Sequence, residues 1–291
     1  MNRKIYFFAD VFGMCGGVHA ALKILEELVV SPERQVVVFH ELVHNHAVTE
    51  YFNHRGVIFA DNISDIPVGA TLVIGAHGVA PDVERELRQR AGVCKDATCP
   101  LVKKLHNIAS GLSENDSLII FGKAGHPEVE GVAGCSGTSH TFLISSPDDV
   151  DTLPELTKPV FISQTTVDHE EVALALKSLR KRFPNLRECS GICDASKKRQ
   201  EAVLNLAKKV AAVIVIGSGH SSNARRLREI AERTGIPAFL IDNAGELTSG
   251  IMQYSPLGIT SGASTPQSLM DDVVAVLEQN GFVPGCNSKK Q

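Results

Sequence analysis

The stretch DATCPLVKKLH, residues 96–106, sets a thiol, Cys99, directly before a proline and then a run of apolar residues at helical spacing. Proline is favoured at the first helical position, where its missing N–H costs nothing, so Pro100 predicts a helix start with Cys99 as its N-cap. Leu101, Val102, Leu105, Ile108, Ala109 and Leu112 then recur at one-, three- and four-residue steps, the stripe of a half-buried helix. Sulfur at the positive end of a helix is favoured as thiolate, the form that attacks electrophiles or binds metal. A lone cysteine so placed is as readily a buried structural residue, and the rest of the chain decides between the two.

The pattern repeats. Cys15, in GMCGGVHAALKILEELV (13–29), precedes an apolar stripe of Val18, Ala21, Leu22, Leu25, Leu28 and Val29, and Cys193, in ICDASKKRQEAVLNLA (192–207), precedes Val203, Leu206, Ala207 and Val210. The three cysteines lie 84 and 94 residues apart, a period too long for a solenoid and long enough for a small α/β lobe. Between 27 and 29 residues after each comes a short buried-looking strand that ends in polar residues: VVVFHELVHN with His44, LIIFGKAGHPE with His126 and VIVIGSGHSSN with Ser221. A second strand end follows at 62, 66 and 71 residues: TLVIGAHG with His77, PVFISQTT with Thr165 and LGITSGAS with Ser264. This α/β alternation divides the chain into lobes over 14–97, 98–192 and 193–282 plus 1–13, with a tail over 283–291. Parallel sheets bind ligands beyond the carboxyl ends of their strands, so six polar tips and three thiols face one centre if the lobes pack about a pseudo-threefold axis.

Composition bounds the partners. The 291 residues carry a net charge of -4, so nothing suggests a nucleic-acid surface and any anion site must be local. The longest apolar run, VAAVIVI at 210–216, is too short to cross a bilayer, and the apolar start is interrupted by Asp10, so no membrane contact and a cytoplasmic protein are expected. Seven cysteines (15, 94, 99, 135, 189, 193 and 286) in that compartment point to metal or redox chemistry rather than a disulfide framework.

Three thiolates from three lobes can hold zinc, or three irons of a cubane cluster with one metal position left open. Zinc sites commonly draw two ligands from one short pair, whereas these candidates are far apart; Cys94, Cys135, Cys189 and Cys286 read as structural or incidental. Histidine, serine, threonine and asparagine tips with glycine-rich turns suit a phosphate or diphosphate, and GSGHSSNARRL and TSGASTPQSL each run from a strand into a helix start whose N–H groups can meet phosphoryl oxygens. In GHPEVEG only one of Glu128 and Glu130 can share a cavity with His126, and Glu128 is the nearer; burial would raise its pKa and suit it to carry a proton. Asp96 is placed to hydrogen-bond the turn before Cys99.

These residues resemble the LytB/IspH family of the non-mevalonate isoprenoid pathway. The matches run in family order along nearly the whole chain: Cys15 with Gly17-Val18, VHN at 43–45, AHGV at 76–79, DATCPLV at 96–102, AGHPEVEG at 124–131, QTT at 164–166, IC before RQEAV, SSN at 221–223 and GAS at 262–264. The resemblance implies a trefoil of three α/β lobes around a 4Fe–4S cluster held by Cys15, Cys99 and Cys193, with the fourth iron free. It further implies reductive dehydroxylation of 4-hydroxy-3-methylbut-2-enyl diphosphate to isopentenyl and dimethylallyl diphosphates, with electrons from a donor such as ferredoxin or flavodoxin. By position, Glu128 would supply or relay the proton with Thr165 and His126 assisting, while His44, His77, His126, Thr165, Ser221, Ser222, Asn223 and Ser264 would bind the substrate. Phe12-Gly13-Met14 stands where the family usually has Arg-Gly-Phe, and His220 and Ala224 flank the serine loop where Asn and Ser or Thr are more usual. Other readings of the same residues are a divergent paralogue acting on another allylic diphosphate, an iron–sulfur sensor that binds a diphosphate, and a zinc-dependent phosphohydrolase.

Overall fold

Apolar runs set between helices become the strands of three separate parallel sheets. The computed structural model describes residues 3–30, 33, 35–189 and 191–285, with strands β1–β13 and helices α1–α10 numbered from the N-terminus; Cys286 lies outside the described residues. Two compact units result, one of Gly17–Val43 and Thr49–Cys193, the other of Met1–Gly16, His44–Val48 and Asp194–Gln291.

The first unit holds two lobes, each with a four-stranded sheet. In the first lobe β2 (Val36–Phe39), β3 (Ile58–Ala60), β4 (Thr71–Ile74) and β5 (Val93–Asp96) lie in the order β3-β2-β4-β5. In the second, β6 (Ser117–Phe121), β7 (Thr141–Ile144), β8 (Pro159–Ser163) and β9 (Arg187–Cys189) lie in the order β7-β6-β8-β9. The first six helices are α1 (Gly16–Val29), α2 (His46–Asn53), α3 (Pro81–Arg90), α4 (Pro100–Ser110), α5 (Pro127–Gly134) and α6 (His169–Arg182).

The second unit holds the third lobe, in which β1 (Lys4–Phe8), β10 (Ala212–Ile216), β11 (Ala238–Ile241), β12 (Leu257–Ser261) and β13 (Phe282–Pro284) lie in the order β11-β10-β12-β1-β13. Its helices are α7 (Asp194–Ala207), α8 (Ser222–Arg233), α9 (Ser249–Met252) and α10 (Gln267–Gln279). The strand order is that of the other two lobes, with the N-terminal strand β1 in the place taken by β5 and β9. Each of β1, β5 and β9 leads into a cysteine and the helix behind it. Residues 283 and 284, assigned to a tail by the sequence reading, are strand: β13 pairs in parallel with β1, and Pro284 is tolerated there because an edge strand leaves one side of its backbone unpaired.

Strand pairs are parallel throughout, which the intervening helices require, since parallel neighbours need a crossover. Strands β2, β4, β6, β8, β10 and β12 are buried at every residue, which explains their largely apolar sequences; the flanking β5 and β9 are partly exposed and carry Lys95, Asp96, Arg187 and Glu188. Side chains alternate between two cores in the second lobe. Ile119, Phe121 and Phe161 meet Val172, Ala175 and Leu179 of α6, while Leu118, Ile120, Val160 and Ile162 meet Leu105 and Ala109 of α4 and Val129 and Val132 of α5. The third lobe does likewise, with Ile214 and Ile259 against Met270, Val273 and Leu277 of α10, and Val213 and Val215 against Val203 and Leu206 of α7. No described helix is long and apolar enough to cross a membrane.

Candidate functional site

Cys99 is the N-cap of α4 with Pro100 at the first helical position, and Cys15 and Cys193 stand directly before α1 and α7. All three are half-buried, and no disulfide joins them. Their backbones are held alike. The Cys99 N–H donates to Ala76 O at 3.0 Å, that of Cys193 to Thr165 O at 3.2 Å, and that of Cys15 to Ala263 O at 3.0 Å. The acceptors sit just past the ends of β4, β8 and β12, at or next to the polar tips His77, Thr165 and Ser264. Each thiol is therefore pinned by its own peptide to a strand tip that the sequence pattern singled out.

The turn before Cys99 is held from within. Asp96 Oδ1 accepts the Thr98 N–H at 2.9 Å and Oδ2 pairs with Lys103 Nζ at 2.6 Å. Burial pushes the Asp96 pKa up, but the bonds from Lys103 and Thr98 outweigh it and hold the carboxyl below the ordinary aspartate range.

The first unit gathers the acid–base candidates. Pro127 opens α5, His126 is its N-cap, and Glu128 points inward, 2% exposed, whereas Glu130 is exposed. Thr165 grips both oxygens of Glu128: its N–H donates to Oε1 at 2.6 Å and its Oγ1 to Oε2 at 2.7 Å. Because the Thr165 carbonyl also accepts from Cys193, one residue ties the buried carboxyl to a thiol turn. His126 Nδ1 accepts the Glu128 N–H at 3.2 Å, which in the neutral ring leaves the proton on Nε2. The ring of His77 stands edge-on to that of His126, centroids 5.5 Å apart. Here the structure brings together Cys99, Cys193, His77, His126, Glu128 and Thr165.

In the second unit, Ser221 caps α8 and its Oγ accepts from Ala224 N at 3.3 Å. Ser222 is half-buried in the first turn. Asn223 is buried; its Oδ1 accepts the Ala263 N–H at 3.0 Å, and its Nδ2, sealed from solvent, has no partner among the described residues. A buried amide donor left open in this way is costly and marks a place for an acceptor. The Ser264 hydroxyl donates to His44 O at 3.0 Å. Since Ala263 bonds Asn223 through its N–H and Cys15 through its carbonyl, the serine and asparagine loops meet at the Cys15 turn.

The remaining described cysteines sit in other settings. Burial raises the Cys135 thiol to about 11, and burial also raises Cys94 despite the nearby Arg88, so both stay protonated at neutral pH. Cys189 lies in β9 against the core. Phe12, at the departure before the first cysteine, stacks on Phe8 with centroids 5.0 Å apart, and Gly13 donates to Ser261 Oγ at 2.8 Å.

Three residues near the site received no role from the sequence. Arg199, 3% exposed, reaches Gly13 O at 2.6 Å and so holds the turn before Cys15. Gln164 bridges the ends of β6 and β8, its Oε1 accepting from Lys123 N at 3.0 Å. His106 of α4 is half-buried beside Gly78 and Gly131. All three stand inside quoted stretches, but on a single chain nothing in their spacing separates them from surface polar residues.

Comparison with known proteins places this geometry. The LytB protein family model matches residues 7–278. A 4-hydroxy-3-methylbut-2-enyl diphosphate reductase from Methylococcus capsulatus is 37% identical over 282 residues, 94% of this chain and 90% of that protein. The Escherichia coli protein of the same name is 40% identical over 281 residues, covering 94% and 89%. Among solved structures, the E-1-hydroxy-2-methyl-but-2-enyl-4-diphosphate reductase of Plasmodium falciparum superposes with a TM-score of 0.90 at 30% identity, over 99% of this chain and 95% of that one. A second, described as the terminal enzyme of the non-mevalonate pathway, gives a TM-score of 0.68 at 28% identity, over 94% and 99%.

Proposed function

Because the chain belongs to the LytB protein family, we propose that it is a 4-hydroxy-3-methylbut-2-enyl diphosphate reductase that converts this substrate to isopentenyl and dimethylallyl diphosphates. One observation carries the reading beyond family membership: Thr165 holds both oxygens of the buried Glu128 and, through its carbonyl, the Cys193 turn. A sensor that merely bound a cluster and an anion would have no use for a carboxyl clamped by the residue that holds a thiol turn.

The donor set fits a 4Fe–4S cluster: three half-buried thiols outside any disulfide, each at a helix start and each with its N–H already bonded to a strand tip. Such a cluster, held by Cys15, Cys99 and Cys193, supplies electrons one at a time and, through the iron without a cysteine, Lewis acidity toward a poor leaving group. The side chains do the rest. His44, His77, Ser221, Ser222, Asn223 and Ser264 bind the diphosphate, with the open Nδ2 of Asn223 as a preformed donor to a phosphoryl oxygen. Gripping this unreacting end spends its binding energy on orienting the C–O bond that breaks. Two electrons and two protons remove the hydroxyl as water; Glu128 delivers a proton, Thr165 fixes the carboxyl, and His126 presents its Nε2 proton beside it.

In the same reading ferredoxin or flavodoxin donates the electrons, and the reaction runs in the cytoplasm, where thiols stay reduced. The test is anaerobic turnover of reconstituted protein, with iron and sulfide content verified, on 4-hydroxy-3-methylbut-2-enyl diphosphate and reduced viologen. Viologen oxidation with formation of both five-carbon diphosphates is expected. No turnover from protein with a complete cluster would overturn the assignment.

A further inference from the structure

Seven residues beyond Cys99, helix α4 carries a half-buried histidine that the proposed chemistry does not use. His106 Nε2 is enclosed by protein and has no hydrogen-bond partner among the described residues. The ring is wedged between two glycines of different lobes. A Cβ on Gly78, next to His77, would stand 2.8 Å from His106 Cε1; one on Gly131, three residues after Glu128, would stand 3.0 Å from Nε2 and 3.3 Å from Cε1. A side chain at Gly78 would force the ring to shift and one at Gly131 would press it by a few tenths of an ångström, and Gly78 also needs its left-handed φ of 70°. At the same junction, within the first unit, the His77 ring meets that of His126 and Gly134 of α5 lies against Ala80.

The setting favours a neutral ring. A protonated ring would carry an N–H at Nε2 with no acceptor among the described residues, and burial lowers the pKa against the pull of Asp96 and Glu84. An unpartnered ring nitrogen in a packed junction costs stability that an aliphatic side chain would avoid, and such costs concentrate where function needs the shape.

We propose that His106 is a positioning residue for the reduction: a neutral spacer between the His77 turn of the first lobe and the helix that carries Glu128 in the second, setting how these groups meet the substrate. The proposal rests on the reading of His77, His126 and Glu128 as the groups that act on it. Misplacing reacting groups by about 1 Å costs up to about 100-fold in rate, so closing or widening this gap should be felt in turnover rather than in assembly.

The test compares His106→Ala, His106→Gln and Gly131→Ala, each reconstituted to the parent's cluster content, in kcat, KM and the ratio of the two products, alongside the ring resonances of labelled His77 and His126. His106→Ala is expected to lower kcat per assembled cluster by about 10- to 100-fold, to change the product ratio and to shift both ring resonances. His106→Gln, neutral and of similar reach, should restore most of the loss. Gly131→Ala, which presses on the ring from the other side, should lower kcat without touching any proposed binding residue. Parental kcat, product ratio and resonances in both alanine variants would overturn the proposal, and a variant that only melts earlier while its assembled fraction turns over normally would do the same. Should His106→Ala fail to fold, Gly131→Ala carries the decision by the same readouts. Should the parent itself fail to reduce the substrate, the functional reading falls, and the histidine resonances still decide whether His106 sets the junction.

Discussion

Glu128 shows how much a single residue draws from its neighbours. Its carboxyl is almost fully enclosed, yet both oxygens accept from Thr165, so it is at once desolvated and fixed in direction. Glu128→Gln keeps the shape and removes the proton; kcat is expected to fall by about 10²- to 10⁴-fold while KM changes little, measured by viologen oxidation on protein of matched iron content. Asn223→Ala acts at the other end of the substrate. It removes a buried donor to a charged acceptor, a bond worth about 1.5–3 kcal/mol, so substrate binding should weaken by about 10- to 100-fold in a titration with the diphosphate. The choice of Glu128 over Glu130 was legible in the sequence, because two residues two apart on a helix start cannot face one cavity. That Asn223 spends its oxygen on Ala263 and keeps its nitrogen open was not, since the bond spans 40 residues.

At the scale of elements, α4 unites stability and function on one helix. Its N-terminus presents Cys99, and its buried stripe of Val102, Leu105 and Ala109 anchors it against the second sheet. Leu105→Ala should cost about 2–5 kcal/mol in a denaturant titration, and the thiol turn should loosen with it. Helix α5 meets the first lobe through small residues, and Gly134→Ala would drive a Cβ into that of Ala80. Overpacking of this kind costs about 1–3 kcal/mol, despite alanine's better helix propensity, and a thermal melt of that variant should show the loss. Both helices announced themselves by proline at the first position and apolar spacing. Their partners did not, because which lobe a helix face meets depends on chain segments far from it in sequence.

Across the whole molecule, acid should act in two steps that follow from His106 and Asp96. The His106 pKa is lowered by burial, so the unfolded chain binds its proton first; the stability this histidine contributes is complete above about pH 6.5 and is lost as pH falls below that value. Asp96 is held below the ordinary aspartate value by Lys103 and Thr98 despite its burial, so its contribution is complete above about pH 3.9 and is lost below it. Denaturant midpoints measured from pH 8 to pH 3 should fall through both windows, and His106→Gln should remove the upper one. The amino-acid sequence by itself determined the α/β alternation, the three cysteine-headed helices and the six polar strand tips, because strand and helix periodicities and a proline beside a cysteine are local signals. The sequence reading placed residues 1–13 with the third lobe, but tertiary structure alone decided that β1 pairs with β12, some 250 residues away, so that Cys15 enters the same peptide-to-tip bond as Cys99 and Cys193. It also decided that His106 sits between two glycines, because close packing between segments distant in the chain has no period to read.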